Sequence, residues 1–254
     1  MRAVTDENVV DLVVSEIEAM VAVCRPVDPS TPVPTCPEWD LAELIRHVGR
    51  VHRWAATMVE RSSQERLGRE DMDFSVPEDP AKLPDWLAQG AEFVASRFRA
   101  ADPATPMWAW GWPKEAGFWP RRMVHETGIH RADAELTAGR TPSFDPEVAA
   151  DGVDELLDNL PHAAYFAPAV AELRGSGETL AFVAKDLETA WRIDLGADGF
   201  SWARATPASG DAEAALTATA GDLLLTLYGR RPVGPDEVTG DRSLVDRWIA
   251  NSSL

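Results

Sequence analysis

Only two cysteines, Cys24 and Cys36, occur in 254 residues. They are too few for a disulfide scaffold and lack metal-site spacing, which suits a chain that folds in a reducing compartment. Basic residues are also scarce: 24 Lys and Arg stand against 42 Asp and Glu, a formal charge of −18. Such a chain lacks the phosphate-neutralising footprint of a nucleic-acid binder and is repelled by an anionic membrane surface. No apolar run approaches the ~18 residues that would span a bilayer. The first residues, MRAVTDENVVDLVV, carry acids where a secretion signal needs an apolar core. Internal repeats, low-complexity tracts and glycine-rich phosphate loops are missing as well. What remains, with 45% apolar residues, is a globular chain long enough for one large domain or two ordinary ones, expected in the cytoplasm.

The apolar periodicity predicts four helices in the first half. Val10, Val13, Val14, Ile17, Met20 and Val21 recur at helical spacing from about Glu7 to Val23, before Pro26. A proline-rich connector, RPVDPSTPVPTCPEW, leads to Thr35-x-x-Glu38, which reads as a capping box, and to a second helix over 38–61. Pro84 opens a third, with Trp86, Leu87, Phe93, Val94 and Phe98, closing near Pro103. The tryptophan-rich PMWAWGWPKEAGFWP introduces a fourth, from about Trp119 to Ala138, stopped at Gly139. Four such helices make a bundle of about 140 residues. After a fifth helix, Asp145 to Leu160, the pattern changes. ETLAFVAKD, TAWRIDLG and GFSWARA are short β-favouring runs that read as a meander. AEAALTATA reads as a further strand, GDLLLTLYGRRP as a helix stopped by Gly229 and Pro232, and RSLVDRWIANS as a terminal helix. The fold class expected is α+β, with a helical bundle over 1–142 and a smaller α+β domain over 143–254.

Chemistry concentrates in RRMVHETGIHRADAE, residues 121 to 135. A helix turns about 100° per residue, so i and i+4 lie within about 40° of each other. Glu126 and His130 therefore share a face, whereas His125 and His130 are roughly 140° apart, and the likeness to the H-E-x-x-H zinc signature is false. Asp133, three residues after His130, is placed to accept a hydrogen bond from its imidazole. A metal needs a third ligand; without one, the pair belongs to a solvated helix face. The second helix offers two histidines on adjacent apolar stripes, His47 and His52, and spacing alone does not choose between them. Two nitrogens and one oxygen with a vacant fourth position is the donor set of a catalytic zinc.

TCPEWDLAELIRHVGRVHRW resembles the N-terminal segment of the mycothiol-dependent maleylpyruvate isomerase family, and MVHETGIHRADAE resembles its fourth-helix motif. The resemblance implies a DinB-like four-helix bundle whose metal is held by His47, Glu126 and His130. ATAGDLLLTLYGRRP followed by VTGDRSLVDRWI is similar to the family's C-terminal domain, which implies a sterol-carrier-like α+β fold. It also implies an arginine that helps bind an acidic substrate. Arg230 is the nearest match, with Arg231 and Arg192 as alternatives.

The chemistry implied is zinc-dependent and mycothiol-dependent. A thiol coordinated at the open metal position loses its proton near neutral pH, so no catalytic cysteine is needed. In an isomerase the thiolate adds to a conjugated cis double bond, allows rotation and leaves; in a transferase it attacks an electrophilic carbon once. The partners expected are thus a small-molecule thiol and an electrophile. Trp108, Trp110, Trp112 and Trp119 form either a wall over the substrate or buried packing. Cys36, at the expected start of the second helix, is a weak nucleophile candidate. The competing expectation is a non-catalytic metal- or thiol-binding module, or a protein-interaction module, using the same histidines.

Overall fold

The computed structural model describes residues 4–68, 72–207 and 212–252. The chain divides into two compact units, Val4–Ser143 and Phe144–Leu254.

In the first unit, α1 (Val9–Cys24), α2 (Leu41–Glu60), α3 (Leu83–Ala100) and α4 (Phe118–Thr137) form a bundle. Both α1 and α2 pack against α3 and against α4. The stripes behave as their spacing requires: Val13, Ile17 and Met20 of α1 and Leu41, Leu44, Ile45, Val48 and Ala55 of α2 are all but inaccessible. Close packing of α2 on α3 depends on Gly49, where a Cβ would lie 2.2 Å from the Trp86 ring. Helix α4 ends in a left-handed residue, Gly139 with φ 68°, the conformation a helix stop reserves for glycine.

The expected capping box at Thr35 is not formed. The same grammar recurs at Asp40-x-x-Glu43, and the chain uses that one: Asp40 accepts from the Glu43 N–H at 2.8 Å, so α2 starts at Leu41 rather than at 38. Residues 31–40 instead fold into a pinned loop, with the Val33 N–H on the Trp39 carbonyl at 3.0 Å and the Cys36 N–H on the Val33 carbonyl at 3.1 Å. Buried Val33 anchors it.

In the second unit, α5 (Pro146–Asn159), capped by Asp145, precedes a five-stranded sheet. Its strands are β1 (Thr179–Ala184), β2 (Thr189–Gly196), β3 (Gly199–Ala205), β4 (Ala214–Ala218) and β5 (Val238–Gly240), in the order β3-β2-β1-β4-β5. The first three are the expected antiparallel meander. Strand β4 runs parallel to β1, and β5, only three residues long, is too short to leave an alternating signal. Helix α6 (Ala220–Leu227) and the terminal α7 (Arg242–Ser252) complete it. Asp154 of α5 accepts from the Trp191 indole at 2.6 Å and from the Arg204 guanidinium, tying helix to sheet. The class is α+β, a helical bundle followed by a mixed sheet with helices. Among the described residues no helix is long and apolar enough to cross a membrane.

Candidate metal centre

Helix α4 is buried on nearly every side although much of it is polar. Arg122, His125, Thr127, His130, Arg131 and Asp133 are all less than 9% exposed, so RRMVHETGIHRADAE is not a solvated face. Buried polar groups persist only when paired, and these are. Arg131 donates to Glu16 at 2.6 Å and Glu135 at 2.8 Å. Arg122 donates to Glu126 Oε2 at 2.9 Å. His130 Nδ1 bonds Asp133 Oδ2 at 2.9 Å, the contact their i,i+3 spacing made available.

The rotation of α2 against α4 separates the two histidines that sequence spacing left equivalent. His47 lies beside the pair, its Nε2 3.2 Å from Glu126 Oε1. His130 Nε2 approaches the same oxygen at 3.4 Å, and ligand atoms of His47, Glu126 and His130 all fall within 4.8 Å of one another. This is the only such cluster of His, Cys, Asp and Glu among the described residues. The rings of His47 and His130 meet edge to face at 4.9 Å between centroids.

His52 points elsewhere. It is fully buried, and its Nε2 lies 2.7 Å from Thr127 Oγ1. The Thr127 hydroxyl directs its own proton to the Met123 carbonyl at 2.5 Å, so Nε2 is the donor and Nδ1 is left as a buried acceptor without a hydrogen-bond partner. Burial pushes this imidazole down to about 3.

Charge at the cluster runs the other way. Burial opposes a proton on His130, but hydrogen bonds to Asp133 and Glu126 outweigh it and push the ring up to about 9. Burial likewise opposes the Glu126 carboxylate, yet His130, His47 and Arg122 hold its pKa well below the usual carboxylate range. The donors that meet here, two imidazole nitrogens and one carboxylate oxygen, fit a divalent metal of the zinc type. Asp133 on the far nitrogen of His130 is the orienting carboxylate that metal-binding histidines commonly carry.

Three residues of the surroundings escaped the sequence reading. Trp39 packs its ring over His47, 4.8 Å between centroids, and lies 6.1 Å from His130. Thr35 donates to Asp133 Oδ1 at 2.6 Å, from 98 positions away, and no local pattern reveals such a pair. Arg122 is different, because an opposite charge four residues before Glu126 is legible in sequence. Cys36 sits in the pinned loop rather than at a helix start, and its Sγ lies 3.9 Å from Asp133 Oδ2, which removes the helix-dipole argument for its reactivity. Trp108 and Trp119 belong to a packed cluster with Trp54, with ring centroids 5.1 to 6.1 Å apart, while Trp112 is 63% exposed.

In the second unit Arg230 follows the end of α6, with Nη1 donating to the Tyr228 carbonyl at 2.8 Å. Arg231 is tied to Glu237 at 2.8 Å and to Asp222 at 3.3 Å, and Arg192 to Asp194 at 3.0 Å.

The architecture has solved counterparts. The crystal structure of a mycothiol-dependent maleylpyruvate isomerase superposes with a TM-score of 0.60 at 15% identity, over 94% of this chain and 95% of that one. A histidine-to-alanine mutant of the isomerase gives 0.61 at 14% identity with the same coverage. No curated protein sequence matches at a significant level. Sequence family models match both halves: the mycothiol maleylpyruvate isomerase N-terminal domain over residues 10–135 and the MDMPI C-terminal domain over 147–247. With both domains present in order along one chain, this protein belongs to the mycothiol-dependent maleylpyruvate isomerase family.

Proposed function

We propose that this protein is a zinc- and mycothiol-dependent enzyme that directs a low-molecular-weight thiol against an electrophilic small molecule, as a cis-trans isomerase or a thiol S-transferase. The observation that carries the reading is the convergence of His47 Nε2, His130 Nε2 and Glu126 Oε1 on one point, in a chain of this family. These three residues would hold the metal. A bound zinc ion supplies Lewis acidity that brings the pKa of a coordinated thiol toward neutrality.

The chain's own residues do the rest. Asp133 accepts a hydrogen bond from His130 Nδ1–H and so leaves the Nε2 lone pair to face His47 and Glu126. Trp39 covers His47 on one side and gives the site an apolar flank. Of the two protein thiols, Cys24 is held protonated by burial, which pushes it up to about 12, and Cys36 Sγ donates toward Asp133 Oδ2 at 3.9 Å. On this reading the nucleophilic sulfur is that of a bound thiol. Arg230 is proposed as the group in the second unit that holds an anionic substrate, and the cytoplasm, where such thiols are kept reduced, is the location that fits.

Metal analysis and turnover test this together. We expect about one zinc per chain after reconstitution, and conversion of maleylpyruvate or another electrophile only when both zinc and mycothiol are present. Stoichiometric metal with no thiol-dependent turnover of any electrophile would leave a binding module and overturn the enzymatic reading.

A further inference from the structure

Glu126 presents its two oxygens to different partners. Oε1 faces His47 and His130, at 3.2 and 3.4 Å, while Oε2 lies 2.9 Å from Arg122 Nη2, one helical turn back on α4. Arg122 is not a surface cation that happens to lean inward. Its side chain is 6% exposed, against 19% for Glu126, and its guanidinium carbon lies 5.9 Å from the Trp110 ring centroid. A carboxylate can meet a cation through one oxygen or through both. With Oε2 already engaged by a planar, permanently charged donor, only Oε1 is free to turn toward the histidines.

We infer that Arg122 is a positioning residue that restricts Glu126 to one-oxygen ligation and thereby keeps a position at the metal open for the thiol sulfur. The inference rests on the metal reading above and goes beyond it, because it assigns to a non-ligand the choice between an open and a closed site. Its buried charge adds to the effect by favouring an anionic sulfur nearby. Removing Arg122 frees a second oxygen for the metal and takes away a neighbouring positive charge, both of which favour the metal, while the loss of that charge weakens the hold on thiolate. General damage to the bundle would weaken both.

Cobalt(II) reports on both quantities. Wild type, R122Q and R122K are loaded with cobalt and titrated with 2-mercaptoethanol. The visible bands report coordination number, and the sulfur-to-cobalt charge-transfer band reports thiol binding. For R122Q we expect cobalt affinity that is no weaker than wild type, fainter visible bands from a higher coordination number, and about tenfold more thiol at half-saturation, the scale on which outer partners act at metal sites. R122K, which keeps the charge but not the fork, should fall between. Unchanged bands and thiol titration in R122Q overturn the inference, as does a parallel fall of cobalt affinity, thiol affinity and melting temperature. A wild type whose cobalt spectrum is absent, or survives His47→Ala, overturns the metal reading itself and this inference with it.

The wild-type protein supplies a measurement that does not depend on the variants folding. In the zinc-minus-apo infrared difference spectrum, one-oxygen ligation separates the two Glu126 carboxylate stretches widely and two-oxygen ligation narrows the gap. A wide separation supports the assignment to Arg122, and a narrow one overturns it.

Discussion

Replacing His52 by alanine separates the roles of the two histidines of α2, and its cost can be worked out from the structure. The ring is fully buried. Truncating a large buried side chain costs about 3 to 5 kcal/mol, and the lost Nε2–H bond to Thr127 adds about 1 kcal/mol. Against this, the variant no longer buries an unpartnered Nδ1, a burden of about 1 to 3 kcal/mol. The net is about 3 kcal/mol near pH 7, or roughly 10 °C in Tm for a unit of this size. Acid changes the comparison. The folded pKa of His52, about 3, lies below its usual 6.5, so as pH falls through 6.5 the unfolded chain takes up the proton first. Wild type then loses up to about 1.4 kcal/mol per pH unit on this account, and alanine loses none of it. The stability gap should therefore shrink by about 2 kcal/mol between pH 7 and pH 5. Thermal unfolding of the metal-free proteins, followed by circular dichroism at both pH values, measures it. A gap that stays constant would refute the buried, neutral imidazole. Metal content gives the second arm: His52→Ala should keep its zinc, and His47→Ala, whose side chain is 27% exposed, should lose zinc with little change in metal-free Tm. The reverse pattern would refute the assignment of His47.

Asp133→Asn keeps the size of the side chain but loses the charge that His130 and Thr35 share, and zinc affinity measured by chelator competition should fall about 10- to 100-fold; an unchanged affinity would show that the contact only packs. Zinc affinity should also depend on pH. The folded pKa of His130, about 9, lies above its usual 6.5, so its ion pairs stabilise the metal-free protein below pH 6.5 and that stabilisation fades as pH rises through 9, while zinc must displace the proton in between. Apparent affinity should thus rise about tenfold per unit from pH 6.5 to 8.5, and a flat titration would contradict the protonated metal-free site. Arg230→Ala should lower kcat/KM for an acidic electrophile by roughly 10- to 1,000-fold with Tm and zinc content unchanged. A lower Tm with activity lost only in proportion to the unfolded fraction would reduce Arg230 to its bond with the Tyr228 carbonyl.

Local pattern by itself determined the helices, most of them by a buried stripe at a spacing of three and four and α4, buried all round, by the glycine that stops it, and the three strands of the meander, because their β-favouring runs are bounded by turn residues. It determined the Glu126/His130 face, since i and i+4 on a helix are neighbours whatever the rest of the chain does. Tertiary structure alone decided which histidine of α2 meets that face. His47 and His52 sit on adjacent stripes, and the outcome depends on how α2 is rotated against α4, which packing along the whole interface sets. It also decided the start of α2, where Thr35 and Asp40 offered competing caps and Thr35 was taken by Asp133. The parallel pairing of β4 with β1 and the three-residue β5 lay beyond sequence for a related reason: strand partners lie far apart along the chain, and a strand this short has no period of its own. What sequence spacing cannot carry is any contact whose two sides are fixed by different elements, and the surroundings of the candidate metal centre, from Trp39 to Thr35, are built from such contacts.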